Sequence, residues 1–317
     1  MTLQQLRILR EIARQGNNLS GAAAALHTSQ PGVSRQMQQL ERELGVELLT
    51  RRKNRIVGLT EPGRAILAAA ERTLGEAENI RLIAAEHKRE EGGQLTIATS
   101  HLHARYTLLT PIKTFALRHP GVRTQMRQAD PDEILRLVAS GDADIGVSTE
   151  REASRQDLVL LPGAPVGRSL IMPIGHALSL QKNATLADIA RYPLVGYNPR
   201  QRGGQIISET FRARGLEPKL VVSAIDSDII KAYVAEGVGI AVIPTLALDA
   251  ETDRGLRVVD VTKLFPKTVL TVSLRRDVYL RRFVPDFIQL VAPRWSYDAI
   301  RKEMDSRSRK DARASGS

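Results

Sequence analysis

Gln30, Ser34 and Gln38 recur every four residues, with Arg35 beside them. On a helix of 3.6 residues per turn, that spacing gathers them on one face. The face is polar and almost uncharged near its start, which suits base edges better than bulk water. A glutamine amide can pair bidentately with adenine, and serine and arginine can hold phosphate or guanine. A second group follows: Arg51, Arg52, Lys53 and Arg55, four cations in five residues. Such a run is either a solvated hairpin tip or a clamp on a polyanionic backbone or minor groove. Its place behind the polar face favours the clamp.

The elements that must position these side chains carry local signals. Ser29 stands at an N-cap position and Pro31 in the first turn, where a missing N–H costs nothing. Gly45 ends the helix at the usual C-cap. Val33, Met37, Leu40 and Leu44, spaced 4, 3 and 4, form the stripe expected to be buried behind the polar face. Upstream, Leu3 to Arg14 and Leu19 to Leu26 read as helices leading into the turn His27-Thr28-Ser29. Downstream, Leu48 to Leu59 reads as two short strands. The alternative is an ordinary amphipathic surface helix, against which the second helix, the turn and the wing all weigh. The expectation is a winged helix-turn-helix over residues 1–60 that touches DNA through Ser29, Gln30, Pro31, Ser34, Arg35 and Gln38, with Arg51, Arg52, Lys53 and Arg55 in the wing.

The chain has 317 residues, 42% of them hydrophobic, enough for two or three domains. A net charge of +11 fits a polyanionic partner without implying sequence specificity. There are no cysteines, so disulfides, thiol catalysis and cysteine-based zinc fingers are excluded. The N-terminus has no signal-peptide core and no window approaches 18 apolar residues, so a cytoplasmic protein with no membrane partner is expected.

Past the wing, Thr60 caps a long helix with Pro62 in its first turn. From Glu61 to about Glu90 it would run about 45 Å. Ile66, Ala70, Thr73, Ala77, Ile80 and Ala84 alternate at 4 and 3, a heptad seam of mostly small residues. It reads as a dimerising linker over residues 61–91; packing on its own domain is the competing reading. Glu90-Glu91-Gly92-Gly93 is a hinge. Beyond it, strands alternate with helices: Leu95 to Ala98, then helix Tyr106 to Arg118, strand Val122 to Arg127, helix Pro131 to Ala139, strand Ile145 to Val147. The pattern repeats with strands at Leu170 to Met172, Leu194 to Gly196, Leu220 to Val222 and Ile240 to Ile243. Between them fall helices at Thr185 to Arg191, Gly204 to Arg214 and Asp226 to Glu236. This predicts an α/β domain of two lobes with parallel sheets and a cleft between them. The domain spans residues 92–304, with lobe I at about 92–162 and 266–304 and lobe II at about 163–265. The strand Val269 to Leu274 and the helix Arg281 to Val291 return to lobe I. The tail, residues 305–317, is basic, serine-rich and expected to be disordered.

The run Thr28-Ser29-Gln30-Pro31-Gly32-Val33-Ser34-Arg35, with Leu40-Glu41-x-Glu43-Leu44-Gly45 and Leu59-Thr60-Glu61-Pro62-Gly63, resembles the LysR-type transcriptional regulators. Over nearly the whole chain the order of parts is similar to that family. Ser100-His101-x-His103-Ala104-Arg105-Tyr106, Gly141 to Glu150 and Ala224 to Lys231 resemble its cysteine-regulon activator (CysB-like) branch. The resemblance implies a winged helix-turn-helix, a dimerising linker helix and a periplasmic-binding-protein-like effector domain. It further implies a homodimer or homotetramer on double-stranded promoter DNA, with RNA polymerase as a possible partner. No cofactor is implied; the small-molecule co-inducer would be an anion such as sulfate, thiosulfate or a sulfonate, or acetylserine.

In open α/β sheets, ligands sit beyond the carboxyl ends of strands, at helix N-termini. Thr99, Ser100, Leu102 and His103 lie at such a point. Ser148 and Thr149 follow another strand, and Arg202 with Gly203 opens a helix of the opposite lobe. These are the expected effector contacts; plain N-caps and loop hydroxyls are the alternative. The branch carries hydroxyl and amide ligands where this chain has Leu102 and His103, a threonine at Arg202 and a tryptophan at Val166. The exchange removes a hydrogen bond at Leu102 and adds positive charge at Arg202. His103 either adds a further charge or is a neutral, structurally bonded side chain. An anion held bidentately by Arg202 is expected, either of the sulfur pathway or a carboxylate of another pathway.

A solute-binding protein would account for the cleft alone, but not for the helix-turn-helix or the missing export signal. An architectural DNA binder would need no cleft. No Gly-x-Ser-x-Gly elbow, phosphate loop or His-Glu-x-x-His appears, so no enzyme is expected. The six histidines form no convincing metal set.

Overall fold

The structure is a computed structural model that describes residues 1–52, 55–87, 92–150, 157–180, 184–199 and 202–306. It divides into two units, one of residues 1–89 with 277–279 and one of residues 90–276 with 280–317.

In the first unit, helices α1 (Leu3–Arg14), α2 (Leu19–Ala25) and α3 (Gln30–Leu44) precede strands β1 (Leu49–Arg52) and β2 (Arg55–Leu59) and helix α4 (Glu61–His87). Ser29 caps α3 by accepting from the Gly32 amide at 3.3 Å, and Gly45 closes it at φ +69°. Val33, Met37 and Leu40 are wholly buried against Leu9, Ile12 and Leu48. Each contributes about 1.5–3 kcal/mol. Leu44, expected in the same stripe, is exposed instead, because the helix ends beneath it. The strands form an antiparallel hairpin with Leu49 opposite Leu59. Glu41 fastens that hairpin to α3: its Oε1 accepts from the Leu48 and Leu49 amides at 2.9 and 3.1 Å. The start of α4 is pressed onto the same place. Thr60 Oγ1 donates to Glu47 O at 2.6 Å and accepts from Gly63 N at 2.9 Å. A Cβ on Gly63 would stand 2.1 Å from the Leu48 carbonyl oxygen, so only glycine fits there. Ala70 and Leu74 of α4 bury against Leu6. Ala70 therefore serves its own unit and not a seam, while Thr73, Ile80 and Ala84 remain exposed.

The second unit runs β3 (Gly93–Thr99), α5 (His101–Tyr106), α6 (Leu109–Arg118), β4 (Val122–Gln128), α7 (Pro131–Ala139), β5 (Ile145–Glu150) and β6 (Leu158–Val166), which build lobe I. The chain then crosses into lobe II: β7 (Arg168–Pro173), α8 (Leu186–Ala190), β8 (Leu194–Tyr197), α9 (Arg202–Arg212), β9 (Leu220–Ala224), α10 (Ser227–Ala235), β10 (Ala241–Pro244) and β11 (Leu256–Asp260). It returns with β12 (Thr268–Arg275), α11 (Phe283–Val291) and α12 (Tyr297–Ser306).

Lobe I is one five-stranded sheet in the order β4-β3-β5-β12-β6. Strands β4, β3 and β5 are parallel, but β12 is antiparallel to both β5 and β6, with Val272 opposite Val147 and Leu161. In lobe II, β7 lies between β10 and β11, antiparallel to each, while β8 and β9 are parallel. The expected parallel sheets are thus mixed. The reason is the connection: β12 arrives directly from the other lobe and not through a crossover helix, so it need not run with its neighbours. The helix expected from Tyr106 to Arg118 starts only at Leu109, as α6; Tyr106 instead ends the separate short helix α5, with a break at Thr107-Leu108. Leu108 is wholly buried there. Expectations for the Glu90-Glu91 hinge and for the tail beyond residue 306 fall outside the described residues.

Candidate functional site

Each unit presents a surface whose chemistry its interior does not use. On α3, Gln30, Pro31, Arg35 and Gln38 are exposed and Ser34 half-exposed, opposite the buried Val33, Met37 and Leu40. Ser29 is also exposed, with its oxygen engaged as the cap. The turn before α3 holds His27 at φ +50°, an uncommon conformation for a residue other than glycine, which turns the chain from α2 into α3. In the wing, Arg52 is exposed, but Arg51 Nη2 is drawn back to Glu41 Oε2 at 2.9 Å. Arg51 therefore braces the hairpin on α3, which its place in a charge run did not reveal. Lys53 lies outside the described residues, as does the Arg55 side chain.

In the second unit, a cavity of about 330 Å³ opens between the lobes. Ser100 and Leu102 reach it from α5 and its cap, Thr149 from β5, and Gly203 from α9. Ser100 accepts from the His103 amide at 3.5 Å. Gly203 and Gly204 seat α9 on the end of β8, where a Cβ on Gly204 would stand 2.2 Å from Asn198 O. Arg202 opens α9, and its side chain is outside what the structure describes.

Three expected contacts lie behind the wall instead. Thr99 is buried and its hydroxyl donates to Val147 O at 3.0 Å. Ser148 is buried as well. His103 is fully buried, with Nδ1 2.8 Å from Thr107 Oγ1 and Nε2 2.7 Å from Thr149 Oγ1. Burial pulls its pKa down to about 4, so at neutral pH it is an uncharged bridge behind Thr149 and adds no positive charge to the cleft.

The cation in the wall is Arg168, which sequence reasoning did not single out. It opens β7, with only 4% of its surface exposed. Its amide donates to Thr262 Oγ1 at 2.9 Å, and Thr262 Oγ1 donates back to its carbonyl at 3.2 Å, so its backbone is fixed from both sides. The guanidinium lies 6.0 Å from the Phe265 ring centroid, Nε has no hydrogen-bond partner, and no carboxylate pairs with the group among the described residues. Burial lowers its pKa from the ordinary value. Beside it, Tyr197 hydrogen-bonds Ser227 at 2.6 Å, and burial raises the phenol's pKa.

Across the mouth, α5 and α10 are joined by charge. Tyr106 donates to Asp228, while Lys231 Nζ meets Tyr106 Oη at 3.0 Å and Asp253 at 3.1 Å. His101, Asp226 and Asp228 bring ligand atoms within 4.8 Å of one another, a grouping the spacing of the histidines did not reveal. Asp228 is already engaged by Tyr106 and Arg105, and Asp226 caps α10 through the Ile229 amide, so the group works as a latch between the lobes.

A DNA-facing helix with a wing, joined in one chain to a two-lobed ligand cleft, defines a ligand-responsive regulator. Residues 3–64 match the bacterial regulatory helix-turn-helix proteins of the lysR family, and residues 88–296 match the LysR substrate binding domain. The chain belongs to the LysR family of transcriptional regulators, and within it to the CysB-like branch. It is 41% identical to the HTH-type transcriptional regulator CysB of Burkholderia cenocepacia, across 92% of this chain and 94% of that one. It is 40% identical to the HTH-type transcriptional regulator cbl of Escherichia coli, across 96% of each. The crystal structure of the cofactor-binding domain of the Cbl transcriptional regulator superposes with a TM-score of 0.63 at 35% identity, covering 67% of this chain and 93% of that one. The protein is a DNA-binding transcriptional regulator and not an enzyme. Among the described residues no helix is long and apolar enough to cross a membrane.

Proposed function

We propose that this regulator switches genes of sulfur acquisition in the cytoplasm, acting as a homotetramer on promoter DNA, in response to a small anion bound between the lobes. The observation that carries the anion is Arg168. A guanidinium 4% exposed, with no carboxylate partner among the described residues, is costly to bury unless a ligand supplies its counter-charge. Thr149 and Ser100 supply hydroxyls to the same cavity. The branch to which the chain belongs supports the sulfur pathway. An anion that prefers one arrangement of the lobes shifts the DNA affinity by the same factor as DNA shifts its own.

The test is a thermal-shift panel of sulfate, thiosulfate, alkanesulfonates and acetylserine at constant ionic strength, on the full chain and on Arg168→Met. At least one anion stabilises the wild type, and none stabilises the variant. Without ligand, Arg168→Met melts at or above the wild-type temperature, because a buried unpaired charge is gone. An anion response that survives in Arg168→Met rules out this site.

A further inference from the structure

Arg168 sets one end of the cavity, and the rest of the wall says what is attached to the anion it receives. Sulfate occupies roughly two water volumes, about 60 Å³, whereas the cavity holds about 330 Å³. Beside Gln128, Tyr197 and Ser227, the lining carries an aliphatic stretch: Leu102, Val166, Ile206, Ile225 and Pro244. A bare oxyanion would leave this surface wet or empty, with no gain from its burial. Two carboxylates, Asp130 and Asp226, also face the cavity, each as the cap of a helix, accepting from the Glu133 and Ile229 amides at 2.9 Å. Set against Arg168, the one arginine that the described residues bring to the lining, they disfavour a second negative charge on the ligand. His101, at the rim, lies 3.4 Å from Asp228 and not against Arg168.

We propose that the effector is an organic monoanion, a sulfonate or carboxylate with a short apolar tail, and not inorganic sulfate. This deepens the anion reading above and rests on it. The head lies on Arg168 with Ser100 and Thr149 in reach, and the tail lies along Val166, Ile206 and Ile225. Val166 and Ile206 are buried, at 7% and 4% exposure, and form a fixed wall. Ile225 is 70% exposed in the free protein and is the side chain a tail would cover. The tail then adds binding in proportion to the apolar area it hides, about four-fold per methylene.

Calorimetric titration of the full-length protein with sulfate, then with ethane-, butane- and hexanesulfonate and with butyrate and hexanoate, tests this directly. Affinity is expected to rise up to about sixteen-fold with each two carbons, with sulfate weakest. 2-Aminoethanesulfonate is expected to bind more weakly than butanesulfonate, because its ammonium would lose hydration against Val166, Ile206 and Ile225. Ile225→Asn, at an exposed position that leaves the fold intact, is expected to flatten the chain-length series several-fold and leave sulfate unchanged. Equal or tighter binding of sulfate, tighter binding of the aminosulfonate, or an affinity independent of tail length overturns the proposal, while Arg168-dependent binding keeps the anion reading. If no anion binds, or binding persists in Arg168→Met, both fall together.

Discussion

His103 sits 2.7 Å behind Thr149 and 2.8 Å from Thr107, and a neutral imidazole donates through one nitrogen and accepts through the other. The proton's place on the ring therefore decides whether Thr149 offers the cleft a donor or an acceptor. Its burial also has a thermodynamic signature. The ordinary imidazole takes its proton near pH 6.5 and the folded one near pH 4, so between those values only the unfolded chain gains a proton. Stability from this residue is full above about pH 6.5 and is lost as pH falls toward 4. Between pH 7 and pH 5 the wild type should lose about 2 kcal/mol more than His103→Gln, measured by urea denaturation of the full chain. Equal losses in the two proteins would mean that the imidazole is not held neutral. At this scale the sequence was a partial guide. Ser100, Leu102, Thr149 and Gly203 do reach the cavity, because strand ends and caps are local signals. Arg168 announces nothing locally: its burial comes from β11 and Phe265, about a hundred residues further along the chain.

Helix α3 was legible because its cap, its proline and its closing glycine lie within the element they delimit. Its exposed face divides into two kinds of contact. In the reading proposed from the sequence, Gln30 meets a base edge and Arg35 and Arg52 meet phosphate. Gln30→Ala should relax base preference at one position of each half-site while leaving the salt dependence unchanged. Arg35→Ala or Arg52→Ala should weaken all sequences and lower the slope of log K against log salt by about one. Fluorescence-anisotropy titrations over a salt series separate the two, and an unaltered preference in Gln30→Ala would move the reading face elsewhere. Strands β6 and β11 were not legible. Pro162, Gly163 and Pro165 interrupt the first, where its register with β12 also shifts, and β11 is an edge strand half open to solvent. The α5–α6 break was hidden because Leu108 and Leu109 continue an apolar pattern that only the buried Leu108 satisfies.

At the scale of the whole molecule, the linker helix still owes an account of its exposed face. Ile80 is 69% exposed and Ile83 37%, roughly one and a half to two and a half turns past Leu74, which packs against Leu6 of α1. In the proposed oligomer these side chains meet a second copy of α4, with spacing 4 and 3 setting the seam. Ile80→Glu should reduce the sedimenting species toward monomer at micromolar concentration while the helix-turn-helix keeps its fold. An unchanged sedimentation coefficient would place the oligomer contact elsewhere. The order of strands in lobe I bears on how the chain is made. Its sheet has β12 between β5 and β6, so the slot between those two strands stays open until residue 275 has been synthesised. On the ribosome the first lobe must wait, with β5 and β6 unpaired at their facing edges, while the whole second lobe emerges and can fold first. The segment made early is thus the one finished late, and it is during translation, before any effector is met, that this protein is most exposed to aggregation.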